Sequence, residues 1–557
     1  MTPFHRIQQE VAALGDPLME VAQLSVSFGG NRVVDHMDFG LGRGEILGIV
    51  GESGSGKTVS CRALTGLLPA KAQASGRLTF DGKTYDLSNP KALEALRGDK
   101  ISMIFQDPMS ALDPLMRIHR QFALRGLNKA AAATALAEVG FADPATILSR
   151  YPHQLSGGQC QRIMIACAMI SEPRLLIADE PTTALDVTIQ AGILSLLRER
   201  MRRTGMSILF ITHDLGVVSE FCDRVLVMQQ GQIKEIGRTA DVLSAPRAAY
   251  TQSLIAAIPS AANRGQRLPT LKDLEAGRAV AALPAAPRIE RKHTPVLSLR
   301  NISVDYMRPD RSRFRAVDDI SLDLHANEIL GIVGESGSGK STLAKAAIGL
   351  VSPSAGEICI NGQAMDWRRA SRADRRQMQY IFQDPRGALD PSRHILSQVR
   401  EPLDVHGIGK RTERHELASQ ALLRAGLEPA HHLRRPGNLS GGQRQRATIA
   451  RALALSPQIL ICDESVSALD VSVQARILNT LLEIRASQNI AILFISHDLS
   501  VIRHLCDRVL VMQHGKVVET GPVEEVWGAP KQAYTRALLA ALPQLPQVVR
   551  KEKVLAS

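Results

Sequence analysis

The stretch EILGIVGESGSGKT, residues 45–58, decides the fold class. An apolar, β-branched run leads into a glycine-rich loop, and a helical pattern follows. That strand–loop–helix order is what a phosphate-binding loop requires. Gly51, Gly54 and Gly56 let successive backbone N–H groups turn toward phosphate oxygens, with Glu52, Ser53 and Ser55 completing the loop. The following helix presents its positive end to the same anion. Lys57 supplies a point charge for the β- and γ-phosphates, and the Thr58 hydroxyl can ligate Mg²⁺. The same loop returns as EILGIVGESGSGKS at 328–341, with Gly334, Glu335, Ser336, Gly337, Ser338, Gly339, Lys340 and Ser341 in the matching places.

This duplication governs the whole chain. MIFQDPMSALDP at 103–114 returns as YIFQDPRGALDP at 380–391, and LSGGQCQR at 155–162 as LSGGQRQR at 439–446. LLIADEPTTALDV at 175–187 matches ILICDESVSALDV at 459–471. The separation is 283 residues at Lys57/Lys340 and 277 at Gln106/Gln383. It is 284 at Ser156/Ser440, Asp179/Asp463, His213/His497 and Tyr250/Tyr534. Insertions and deletions therefore flank the FQDP segment. The repeat defines domains over 17–260 and 295–545, with a tail over 546–557. Residues 261–294 contain three prolines, no aromatic residue, and seven basic against three acidic residues. They read as a linker with one short helix near 271–280.

The 557 residues, 45% hydrophobic and 22% charged, have a globular composition. No run approaches the roughly 18 apolar residues of a membrane span, and the amino-terminal MTPFHRIQQEVAALGDP lacks the apolar segment of a secretory signal. Any membrane crossing is therefore expected of separate subunits. Seven cysteines without C-x-x-C spacing argue against a disulfide framework or zinc site. A net charge of +12 fits a solvated basic surface and leaves nucleic acid or anionic lipid open as partners.

LLIADE and ILICDE are apolar strands ending in two carboxylates. Charge at a buried strand end needs a cation, so Asp179 and Asp463 suit Mg²⁺ coordination. Glu180 and Glu464, one residue later, are placed to polarise an attacking water.

LSGGQ ahead of each carboxylate strand resembles the signature of the ABC ATPase family. The resemblance implies an α/β fold of two tandem P-loop NTPase (ABC ATPase) domains. Each would carry an antiparallel β region and a helical subdomain between FQDP and LSGGQ. It implies ATP and Mg²⁺ as cofactors and ATP hydrolysis as the activity. In the family the signature of one domain closes over ATP held by another, which implies intramolecular pairing of the two ATPase domains. Ser156, Gly157, Gly158 and Gln159, with Ser440, Gly441, Gly442 and Gln443, would then form second anion sites at helix starts. Gln106 and Gln383 are implied to sense the γ-phosphate and to join Thr58, Asp179, Ser341 and Asp463 around the metal. Asp186 and Asp470 are implied to cross the dimer interface, and His213 and His497 to contact the γ-phosphate. Phe28 and Tyr306 are implied to stack on adenine. A structural histidine and a core aromatic are the alternatives at these last four positions.

Finer features are similar to the peptide, nickel and glutathione importer group of that family. They are FQDP-x-x-ALDP, YPHQLSGG at 151–158, and the tails APRAAYTQSLIAAIP at 245–259 and APKQAYTRALLAALP at 529–543. The resemblance implies an importer ATPase for peptides or related solutes, peripheral to the cytoplasmic face of a bacterial inner membrane. A periplasmic solute-binding protein would be an indirect partner, and no nucleic acid is expected. Three departures stand out. Cys160 follows LSGGQ where Arg444 stands in the second half, and Ser465 replaces the proline present as Pro181. No cysteine lies between Cys222 and Cys359, so no iron–sulfur cluster is expected there. The rival is a soluble tandem ABC ATPase acting on ribosomes or nucleic acid. Its linker would be a long basic helical pair, unlike 261–294. The Lys–Gln and Gln–Ser intervals are 49 and 50 residues in the first half, 43 and 57 in the second. Unlike clefts of this kind predict a permease made of two different subunits.

Overall fold

The apolar runs ahead of the two glycine-rich loops become inner strands of two sheets, Ile46–Gly51 and Ile329–Val333. They lie in a computed structural model that describes residues 15–183, 185–270, 273, 294–308, 311–466 and 469–543. The described chain divides into two units. One is built on residues up to Ile255 together with Pro543, the other on Ala256–Leu542.

In the first unit a six-stranded sheet runs Gln232–Arg238, Arg224–Gln229, Ile46–Gly51, Ser207–Ile211, Leu175–Asp179, Ile101–Ile104. All neighbours are parallel except the first pair. Leu175–Asp179 and Ser207–Ile211 are buried at every residue, as strands covered on both faces must be. The strand entering the phosphate loop comes first in sequence yet sits between the later strands 207–211 and 224–229. The glycine-rich loop, the Asp179–Glu180 pair and His213 thus leave the sheet at one edge, where such sheets form their ligand crevice. A four-stranded antiparallel sheet, in the order Asn31–Gly42, Pro17–Phe28, Ala72–Phe80, Lys83–Asp86, lies in the same unit.

The second unit repeats both sheets. Along its inner strands successive side chains enter opposite cores, following the two-residue period. Ile459, Ile461, Leu493 and Ile495 join a cluster with Ile302 and Val304 of the antiparallel sheet. Leu460, Cys462, Ile492 and Phe494 join a second cluster with Val399, Leu422 and Leu478 from helices.

The length differences fall at identifiable places. Gln121 and Gln398 occupy equivalent positions, each accepting from the N–H of Asp113 or Asp390. Helix Ile118–Ala123 has 6 residues where its counterpart Ile395–His406 has 12, so the longer Gln–Ser interval of the second half enters the helical subdomain there. The extra residues of the first half fall in its antiparallel sheet and the connection after it. Strands of 9 and 4 residues stand there against 6 and 2.

The start of the stretch read as a linker is packed on the second unit. Ala257 and Leu268 are buried in its core. Leu268 exchanges two backbone-to-side-chain hydrogen bonds with Asn479, both 2.8 Å. The Arg264 guanidinium donates to the Cys506 carbonyl at 3.0 Å. The helix expected over 271–280 lies outside the described residues, Asp273 excepted. Among the described residues no helix is long and apolar enough to cross a membrane.

Candidate functional site

Close packing dictates the glycines of each loop. A Cβ on Gly51 would lie 2.2 Å from the Met228 carbonyl oxygen, and one on Gly334 equally close to that of Met512. Gly56, at φ 102°, caps the helix Lys57–Leu64 in a left-handed conformation that a side chain would strain. Inside the loop the Lys57 ammonium donates to the carbonyls of Gly51 (2.6 Å) and Glu52 (2.8 Å). Lys340 does the same to Gly334 (2.7 Å) and Glu335 (2.8 Å). Ser53 and Gly54, like Ser336 and Gly337, stand at the exposed tip, while Ser55 and Ser338 are buried beneath it.

The carboxylates stand beside these loops. The Thr58 hydroxyl donates to Asp179 Oδ1 at 3.0 Å, and Ser341 to Asp463 Oδ1 at 2.8 Å. Asp179 is fully buried, and its Oδ2 has no hydrogen-bond partner. Burial, helped by the neighbouring charge of Glu180, raises the Asp179 carboxyl to about 6. Glu180 and Glu464 adopt left-handed backbone, φ 49° and 45°, with their N–H groups still bonded to Ile211 and Ile495. Gln106 donates to Glu180 Oε2 at 3.1 Å, and His213 Nδ1 lies 3.5 Å from Oε1. In the second unit Gln383 donates to Glu464 at 2.7 Å, with His497 Nδ1 at 3.5 Å. Burial alone would raise the Glu180 carboxyl. The hydrogen bond and charge of His213, then Lys57 and Gln106, outweigh it and bring the group down to about 2. Glu464 is lowered against burial by His497 and Lys340.

LSGGQ has a local explanation in hydrogen bonding. Ser156 Oγ accepts from the Gln159 N–H, and Gln159 Oε1 accepts from the Ser156 N–H, closing a capping box on helix Gly157–Met169. Ser440 and Gln443 repeat it on Gly441–Leu453. Ser156, Gly157 and Ser440 are exposed, Gly441 half-buried and Gly442 buried. Asp186 caps Val187–Thr204 by accepting from the Ile189 N–H, while the Asp470 side chain makes no such bond on Val471–Gln488. Phe28 packs half-buried against the core of the first unit, whereas Tyr306 is exposed.

Each unit therefore brings together its loop, lysine, hydroxyl, two carboxylates, glutamine and histidine. Among the described residues no hydrogen bond ties the signature, Phe28 or Tyr306 to that group. Two further participants escaped the motif reading. The Tyr250 hydroxyl accepts from the Glu52 N–H at 3.1 Å, and Tyr534 from Glu335 at 3.0 Å. Their equal spacing in the repeated AYT tails was the available signal.

Residues 34–183 and 317–467 match the family model described as ABC transporter. The chain belongs to the ABC transporter family. Residues 234–284 and 518–555 match the oligopeptide/dipeptide transporter C-terminal region. The chain is 43% identical over 553 residues to the peptidoglycan transport ATP-binding protein YejF of Agrobacterium fabrum, covering 96% of this chain and 98% of that one. It is 42% identical to the glutathione import ATP-binding protein GsiA of Pectobacterium atrosepticum, over 97% of this chain and 92% of that one. With GsiA of Escherichia coli K12 the identity is 44%, over 94% and 89%. The protein is thus an ABC-transport ATPase, the ATP-binding and ATP-hydrolysing subunit of an importer.

Proposed function

We propose that this ATPase drives uptake of short peptides or peptide-like solutes from the cytoplasmic face of a bacterial inner membrane. The observation that carries the reading is the doubled oligopeptide/dipeptide C-terminal region, whose Tyr250 and Tyr534 brace the two phosphate loops. The relatives' names mention peptidoglycan and glutathione, and the proposed solute is taken from that range.

Within each site the loop N–H groups and Lys57 or Lys340 bind the phosphates. Glu180 and Glu464, kept ionised by their histidines, accept a hydrogen bond from the attacking water and aim it. Gln106, Gln383, His213 and His497 hold those carboxylates in place and contact the γ-phosphate. A buried carboxylate oxygen without a partner, as at Asp179 Oδ2, fits a cation. Thr58, Asp179 and Gln106, with Ser341, Asp463 and Gln383, would hold Mg²⁺, which supplies positive charge to the phosphate oxygens when bound. As the family pattern implies, Ser156 and Ser440 each serve the nucleotide of the other half, Asp186 and Asp470 support that pairing, and Phe28 and Tyr306 flank adenine.

The unequal helical subdomains support a permease of two different subunits. Crosslinking from Met109 and from Arg386 should capture distinct permease chains, and the same chain at both positions would contradict it. Uptake of labelled glutathione and of a labelled muropeptide, with and without the gene, tests the solute class. Loss of uptake of either supports the reading, and unchanged uptake of both counts against it.

A further inference from the structure

The metal-side carboxylates of the two units differ by one contact. In the second unit Tyr380 donates its phenolic hydrogen to Asp463 Oδ2 at 2.5 Å, while Ser341 donates to Oδ1 at 2.8 Å. Both oxygens are held. In the first unit Thr58 donates to Asp179 Oδ1 at 3.0 Å, and Oδ2 has no partner. Strand register fixes the correspondence. Tyr380 pairs with Ile461 as Met103 pairs with Ile177, and methionine has no hydrogen to donate. The Met103 sulfur instead lies 4.0 Å from the Thr65 hydroxyl.

Tyr380 is itself braced. Its ring centroid lies 4.8 Å from that of Phe382, at 53°, and it packs against the core cluster shared by the two sheets. A donor held this way has one direction in which to point its hydroxyl.

We propose that Tyr380 is a positioning residue of the second ATP site, fixing the Asp463 carboxylate for its divalent cation, and that the first site works without such a brace. The inference rests on the assignment of Asp179 and Asp463 as metal carboxylates. A carboxylate held at both oxygens, as Asp463 is, has lost rotation about its terminal bond, so its lone pairs are directed before the ion arrives, whereas Asp179 is held at one oxygen only. In the first site the ordering that the unpartnered Oδ2 still lacks takes place on binding and subtracts from affinity. The second site therefore fills with divalent cation at the lower concentration.

Mn²⁺ with a non-hydrolysable ATP analogue, followed by electron paramagnetic resonance on the full chain, reads this directly. Lys57→Ala confines the probe to the second site and Lys340→Ala to the first. In the Lys57→Ala background, Tyr380→Phe should raise the Mn²⁺ half-saturation concentration about tenfold. In the Lys340→Ala background, Met103→Tyr should lower it. Unchanged half-saturation with Tyr380→Phe overturns the proposal. If that variant does not fold, Met103→Tyr decides, and no fall in half-saturation overturns it. In the Lys57→Ala background, Asp463→Ala separates the two levels of the argument. Retained Mn²⁺ binding there overturns the carboxylate assignment and the tyrosine's role with it. Lost binding there, with Tyr380→Phe silent, overturns the tyrosine's role alone.

Discussion

The two halves place the same side chains around the phosphate loop and differ in what supports those side chains. Lys57 and Lys340 reach the same two carbonyls at distances within 0.1 Å of each other. One layer further out the pairs are unlike. Met103 occupies the strand position from which, in the other half, Tyr380 holds Asp463. After the signature, Arg444 donates to the carbonyls of Pro436 (3.2 Å) and Leu439 (2.9 Å), while Cys160 offers only a buried thiol 3.6 Å from the Pro152 carbonyl. Gln161 donates to the Pro181 carbonyl at 2.9 Å, but Gln445 Nε2 has no partner. Groups that meet phosphate must sit in one geometry, because the ligand is the same in both sites. Their supports need only hold them, and several chemistries do that.

The largest expected effect tests the shared part. Changing both Glu180 and Glu464 to Gln should lower turnover at least about a hundredfold while nucleotide binding survives. Phosphate release and nucleotide-binding titrations check this. Equal losses in the two single variants would erase any functional difference between the halves, and unequal losses would sharpen it.

Leu268→Ala should cost the second unit about 3 kcal/mol, because this leucine is fully buried there. Calorimetry should show one unfolding transition falling and the other fixed. A shift in a transition assigned to the first unit would contradict the packing described.

Asp179→Asn should stabilise the metal-free protein by on the order of 2 kcal/mol at pH 8. The sign follows from burial. The folded carboxyl is raised to about 6 from 3.8, so the folded state keeps a proton that the unfolded chain has released. Stability therefore falls as pH rises through that window, and asparagine removes the loss. The gain should shrink at pH 5.5. Asp463→Asn should bring no gain, since both its oxygens are already bonded. Equal gains at the two pH values would show that ionisation is not the cost.

The smallest effect concerns the signature's support. Arg444→Cys should cost about 1–2 kcal/mol through its lost bonds to backbone carbonyls. Cys160→Ser should move the first unit by less than about 1 kcal/mol, and a larger shift would mean that the buried thiol carries more of the first unit's packing than its single long contact suggests.

Much of this was legible in the sequence because the decisive signals are local. The loop glycines, the S-x-x-Q capping boxes and the paired carboxylates each lie within a few residues, and the repeat shows every one twice. What stayed hidden depends on distant partners. Tyr250 meets Glu52 across 198 residues, and Tyr380 meets Asp463 across 83. A tyrosine ending a strand or opening a helix carries no mark of the oxygen it will find. Residues 261–270 read as linker because their composition is that of one. Only the fold shows Leu268 entering a core whose next member along the chain is Ile329, 61 residues later.

That placement sets a clock for synthesis. Leu268 leaves the ribosome 211 residues ahead of Asn479, the side chain that satisfies both its backbone groups. At about 5–20 residues per second the segment waits roughly 10–40 s for its partner to be made. Through that interval an apolar side chain and an unpaired N–H and C=O trail from a nearly complete first unit. The second unit can finish its core only when that early segment is still free to be taken up.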